Sequence, residues 1–156
     1  MLANILENSG MIKPEIKDVE GQWYSEAVEK ITSLGVMKGY EDKTFKPDNN
    51  LTRQEFAVTL VNLLDLSSMT VKTNKEFTDV KDIYGKEAIE LLASLGVIDG
   101  YPDGTFRPNS EITRAEVVVM FNRLLGENIG SGLGTYDFTD IKGTWAEAEI
   151  IRALGK

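Results

Sequence analysis

Apolar residues recur at helical spacing in two kinds of segment that alternate along the chain. Trp23, Ala27, Ile31 and Leu34 share one such spacing, and Tyr84, Ala88, Leu92 and Leu95 repeat it. That pattern predicts a first type of helix with one apolar face. Phe56, Leu60, Leu63 and Leu64 outline a second type, matched by Val117, Phe121, Leu124 and Leu125. Gly35 and Gly96 stand where a left-handed residue would end the first helix. The loops that follow, GYEDKTFKPDNN and GYPDGTFRPNSE, are built from turn formers. Thr52-Arg53-Gln54-Glu55 and Thr113-Arg114-Ala115-Glu116 then open the second helices as capping boxes, with Thr and Glu satisfying each other's free backbone N–H groups. The expected fold is all-α, helix-loop-helix, with extended pieces confined to the loops.

Self-comparison shows why the pattern recurs. A shift of 61 residues lays Asp18 on Asp79, Leu34-Gly35-Val36 on Leu95-Gly96-Val97, Gly39-Tyr40 on Gly100-Tyr101 and Thr52-Arg53 on Thr113-Arg114, without insertion. The same shift carries Asp79 onto Asp140, so a third unit begins at Phe138. It contains a first helix only, expected from Thr144 onward. Met1–Leu6 resembles Thr59–Leu64, the end of a repeat. The predicted organisation is one module over 1–156. Residues 1–12 form a second-helix end, 16–66 and 77–126 two whole repeats, and 138–156 the first helix of an incomplete repeat. One hairpin cannot bury both of its apolar faces, so the repeats are expected to pack on one another. The terminal halves are expected to meet. Leu66–Glu76 and Gly126–Asp137 read as exposed crossings.

Composition narrows the chemistry. At 156 residues, 42% apolar and 27% charged, the chain is globular. Seventeen basic residues against 25 acidic give a net charge of −8, which argues against nucleic acid as a partner. The chain has no cysteine and no histidine. Disulfides, thiolate sites, the commonest general base and most zinc chemistry are thereby excluded. No segment fits a calcium loop, and neither a metal nor a cofactor is expected. No stretch approaches the ~20 apolar residues of a membrane span. MLANILENSG lacks the basic segment and apolar run of a signal peptide.

The run FTDV…LGVIDGYPDGTFRPNSEITRAE resembles the S-layer homology (SLH) family, whose repeats carry an opening aspartate, a GYPDGTFRP-type loop and a TRAE-type motif. The second repeat matches closely. The first has Glu41 for the loop proline, Lys43 for the loop glycine, Lys46 for arginine and TRQE for TRAE. The third lacks loop and TRAE. The resemblance implies three repeats packed as a pseudo-threefold helical bundle. It also implies a non-catalytic anchoring module outside the cell, in the cell wall or S-layer. The implied partner is an anionic cell-wall glycan, a secondary cell wall polymer often bearing pyruvylated N-acetylmannosamine. The family's ligand-binding basic residue carries over to Arg53 and Arg114.

The residues fit that role physically. Each arginine follows an N-cap threonine, where free N–H groups and the helix dipole favour anions. A guanidinium fork there can grip a carboxylate bidentately. Both arginines are expected to be exposed, with Arg114 the stronger because Glu41 places an acidic side chain in the loop before Arg53. Trp23, Trp145, Tyr40 and Tyr101 are candidate faces for a sugar. Competing readings stand beside these. Core packing is the favoured reading for Trp23 and Trp145, and loop anchoring is equally open for Tyr40 and Tyr101. Phe45 and Phe106 read as core. Asp42 and Asp103 read as turn formers, and Asp18, Asp79 and Asp140 as caps of the first helix or its preceding turn. Two other functions compete: a self-associating module whose split repeat is completed between chains as a homo-oligomer, and a glycan hydrolase using Asp103 and Glu116. The second is disfavoured, since both carboxylates already have structural roles.

Overall fold

The structure, a computed structural model, describes residues 15–69, 75–125 and 138–153. Over these residues it is all-α: α1 is Ser25–Ser33, α2 Arg53–Leu63, α3 Lys86–Ser94, α4 Arg114–Leu125 and α5 Glu147–Ala153. A short 3-10 turn follows α2 at Leu66–Ser68. Extended pairing among the described residues is limited to one antiparallel bridge between Thr52 and Glu111. None of the described helices is long and apolar enough to cross a membrane. Met1–Leu6, and its expected packing against the last helix, lie outside the described residues.

The chain divides into two compact units. The first takes in residues 15–49 and 59–66. There α1 ends as its sequence dictates: Gly35 adopts φ +70°, its N–H donates to Thr32 and the Val36 N–H reaches back to Ile31. This is the Schellman closure that a glycine permits at low cost. The loop after it is held from a distance. Asp18 accepts the Phe45 N–H at 2.8 Å on Oδ1 and the Lys46 N–H at 2.7 Å on Oδ2.

The second unit takes in residues 50–58 together with the described part of 67–156, and it repeats these devices. Gly96 has φ +72°, and Val97 donates to Leu92 at 2.9 Å. Asp79 accepts the Phe106 and Arg107 N–H groups, each at 2.8 Å. Asp18 and Asp79 thus fasten loops 27 and 28 residues downstream rather than capping a nearby helix. Asp103 accepts both the N–H and the hydroxyl of Thr105, a local turn of the expected kind. Phe77 and Phe106 pack with ring centres 5.6 Å apart. Together with Ile89, Leu92, Val97 and Ile98 they form the core of this unit.

The buried stripe of the first-type helix follows the expectation only in part. In α3 Ala88 and Leu92 are buried as expected, together with Ile89, Leu91 and Ala93, whereas Tyr84 and Leu95 are exposed. In α1 the buried residue is Val28, with Ala27 exposed. The helices begin at Ser25, Lys86 and Glu147. The aromatic residue two positions before each start therefore precedes the helix, and the stripe is set without it.

Candidate ligand-binding site

The two TRAE-type helix starts are alike in sequence and differ in what surrounds them. At α2 the capping box forms: Thr52 N–H donates to Glu55 Oε2 at 2.7 Å, and Glu55 N–H to Thr52 Oγ1 at 3.3 Å. The two N–H groups between them are also used. Arg53 donates its N–H to the Ser110 carbonyl at 2.9 Å, and Gln54 to the Pro108 carbonyl at 3.0 Å. Every N–H that a helix start would offer an anion is spent on the protein. The Arg53 side chain is enclosed as well, with only 4% exposed. Its Nε donates to the Phe106 carbonyl at 2.8 Å and its Nη1 bonds the carboxylate of Glu116. Its guanidinium lies over the Phe106 and Tyr101 rings. The expectation of an exposed Arg53 is corrected here: this arginine closes the second repeat's loop onto the start of α2.

Glu116 is the hub of that closure. Its Oε2 accepts from the N–H and hydroxyl of Thr113, and its Oε1 from Arg53 and from the Tyr101 hydroxyl at 2.7 Å. Burial by itself would raise the Glu116 carboxyl. The Thr113 N–H, the Tyr101 hydroxyl and the Arg53 charge outweigh it and hold the group below its ordinary value. Burial, then the bond to Glu116, push the Tyr101 phenol up. Tyr101 is thus a loop anchor, and Arg107 stacks on its ring at 3.9 Å. The Thr105 hydroxyl, followed by Arg107, draws the Asp103 carboxyl down to about 2.

At α4 the capping box forms in the same way, with Glu116 N–H donating to Thr113 Oγ1 at 3.3 Å. The rest of the start is open. Arg114 is exposed, and among the described residues neither its guanidinium nor the Arg114 and Ala115 N–H groups meet an acceptor. The exposed Arg114 thus stands at the positive end of a 12-residue helix.

Comparison with known proteins accounts for this paired architecture. The family model described as S-layer homology domain matches residues 15–57 and 76–118. The chain belongs to the S-layer homology family. "Cell surface glycoprotein 1" of Acetivibrio thermocellus is 39% identical over 140 residues, 83% of this chain. The "Cellulosome-anchoring protein" of the same organism is 36% identical over 152 residues, 95% of the chain. "Exoglucanase XynX", also from Acetivibrio thermocellus, is 31% identical over 155 residues, 93% of the chain. The chain spans 6%, 33% and 14% of the lengths of these three proteins.

Within the SLH repeats, the first repeat's departures leave its loop conformation intact. Lys43 takes φ +65° where Gly104 takes φ +81°, and Lys46 and Arg107 both adopt positive φ. Lys46 places its ammonium 4.1 Å from the Tyr40 ring centre, as Arg107 stacks on Tyr101. Tyr40 is exposed.

Trp23 and Trp145 do not pack in the core. They are 92% and 68% exposed. Tyr84, at the same repeat position, is 66% exposed, and sequence reasoning missed it by assigning it to the apolar stripe. The signal was available, since the 61-residue shift places Tyr84 between the two tryptophans in register. Each of the three SLH units thus carries one exposed aromatic residue just before its first helix. Among the described residues no group of three or more carboxylates could hold a metal ion.

Proposed function

We propose that this chain is a non-catalytic anchoring module that attaches its protein to the bacterial cell surface by binding an anionic wall glycan. The observation that carries this reading is Arg114, exposed at the start of the 12-residue α4 in the repeat that keeps the full GYPDGTFRP and TRAE pattern. A pyruvate ketal on a sugar supplies a carboxylate of the right chemistry for a guanidinium fork beside a helix start. The exposed rings of Trp23, Tyr84 and Trp145 suit the apolar faces of pyranose rings. Membership of the SLH family and the likeness to a cellulosome-anchoring protein support a surface role. The location that follows is extracellular, in the cell wall or S-layer.

On this reading Arg114 is the ligand-binding arginine, and Arg53 contributes to affinity only through the fold. Calorimetric titration with a pyruvylated disaccharide at two salt concentrations tests it. Arg114→Ala is expected to abolish most of the affinity and Arg114→Lys to restore part, because an ammonium keeps charge but loses the fork. Arg53→Ala, measured well below its unfolding transition, is expected to bind nearly as the parent does. Undiminished binding by Arg114→Ala removes this site assignment.

A further inference from the structure

Gln54 and Gly85 meet where the first turn of α2 faces the entry of α3. Gln54 is only 7% exposed, and its Nε2 donates to Asn109 Oδ1 at 2.5 Å. Its Oε1 is buried and meets no donor among the described residues, an arrangement that costs stability. Gly85 lies against it. A Cβ on Gly85 would stand 2.9 Å from the Gln54 Cβ and 3.3 Å from its Oε1. The backbone of Gly85 has φ −84° and ψ 0°, a conformation that Tyr24 also takes at the equivalent position, with φ −95° and ψ 1°. Glycine is required here by the neighbour, not by the backbone.

The repeat register shows what the pair is for. Sixty-one residues on, Gln54 becomes Ala115 and Gly85 becomes Ala146. Ala146 is 1% exposed, and α4 packs on α5 with Asn122 donating to the Glu149 carbonyl. One repeat junction therefore carries a large residue with none opposite, and the equivalent positions of the next carry two alanines. The residue at first-helix entry is different in each unit: Tyr24, Gly85 and Ala146.

We infer that these two positions form a size-matched selector that fixes which repeat docks on which. The start of α2, bearing Gln54, accepts a first helix entered by glycine and excludes one entered by alanine or tyrosine. Repeats of near-identical design are otherwise free to dock out of order or to exchange between chains. A buried glutamine whose oxygen meets no donor among the described residues is a stability cost consistent with such a specificity device.

Two reciprocal cycles test the selector. At the first junction, Gly85→Ala is expected to lower the thermal midpoint by roughly 3–10 °C. Adding Gln54→Ala, which recreates the alanine pair, is expected to recover most of that loss. At the second, Ala115→Gln is expected to lower the midpoint and Ala146→Gly to rescue it. The clashing single variants are also expected to give dimers on refolding at high concentration that the matched doubles do not. Additive effects in either cycle, or refolding of all variants to monomer with equal yield, overturn the inference. Rescue at both junctions together with clash-specific dimers sustains it.

Discussion

Arg53 and Glu116, sixty-three residues apart, form a buried ion pair in which the second-helix arginine of one repeat closes on the capping glutamate of the next. Glu116 thereby serves two roles with separate oxygens: Oε2 completes its own capping box, and Oε1 holds Arg53 and Tyr101. Removing one partner of such a pair leaves the other charge enclosed. Arg53→Ala is expected to cost about 3 kcal/mol in urea unfolding. Arg53→Lys is expected to recover only part, because an ammonium cannot reach Phe106 and Glu116 with one rigid fork. An unfolding midpoint unchanged in Arg53→Ala would show that the clasp is not structural.

The same carboxylate makes stability depend on pH. The folded Glu116 lies below its ordinary value of 4.5, a net result of burial opposed by its three donors. A depressed carboxyl contributes fully above the unfolded value and loses that contribution as pH falls through the folded one. Asp103, drawn from 3.8 to about 2, extends the same sign of dependence further into acid. Stability is therefore expected to decline from pH 4.5 toward 2. Glu116→Gln is expected to be weaker at neutral pH and to show a shallower decline. Parallel acid profiles for variant and parent would contradict the assignment.

Much of this fold was legible in the sequence because its signals are local. Gly35 and Gly96 end helices through their own positive φ, and Thr52 with Glu55 and Thr113 with Glu116 close within three residues. The parts that were not legible depend on distant partners. Asp18 and Asp79 look like helix caps until their loops return beside them, and Arg53 looks solvent-facing until the second repeat's loop covers it. Trp23 and Trp145 share helical spacing with core residues, but α1 and α5 begin two residues after them. The exposure of Arg114 was legible from its first-turn position. Its difference from Arg53 was not, because both follow the same motif.

Two glycines of the second repeat separate backbone strain from crowding. Both Gly96 and Gly100 have φ +72°. A Cβ on Gly96 meets nothing within 4 Å, whereas on Gly100 it falls 2.3 Å from the Phe77 ring and 2.7 Å from the Thr105 carbonyl. Gly96→Ala therefore carries the left-handed penalty alone, about 1 kcal/mol. Gly100→Ala adds overpacking and is expected to cost roughly 3 kcal/mol in total. Equal losses in the two variants, by thermal or urea unfolding, would refute the crowding at Gly100.

Asp79 is the support on which the Arg53 clasp rests. Its two oxygens accept the Phe106 and Arg107 N–H groups at 2.8 Å each, and the carbonyl of that same Phe106 accepts Arg53 Nε. Asparagine keeps the shape but turns one acceptor into a donor facing an N–H. Asp79→Asn is thus expected to lose about 2 kcal/mol, the scale of a charge-assisted hydrogen bond and the orphaned N–H it leaves. The loss is expected to be less than additive with Arg53→Ala, since a loosened loop has already weakened the carbonyl contact. Amide hydrogen exchange reads the mechanism directly: the Phe106 and Arg107 amides, protected in the parent, are expected to exchange faster in Asp79→Asn while the α3 core amides keep their protection. Unchanged exchange at those two amides would show that Asp79 does not hold the loop.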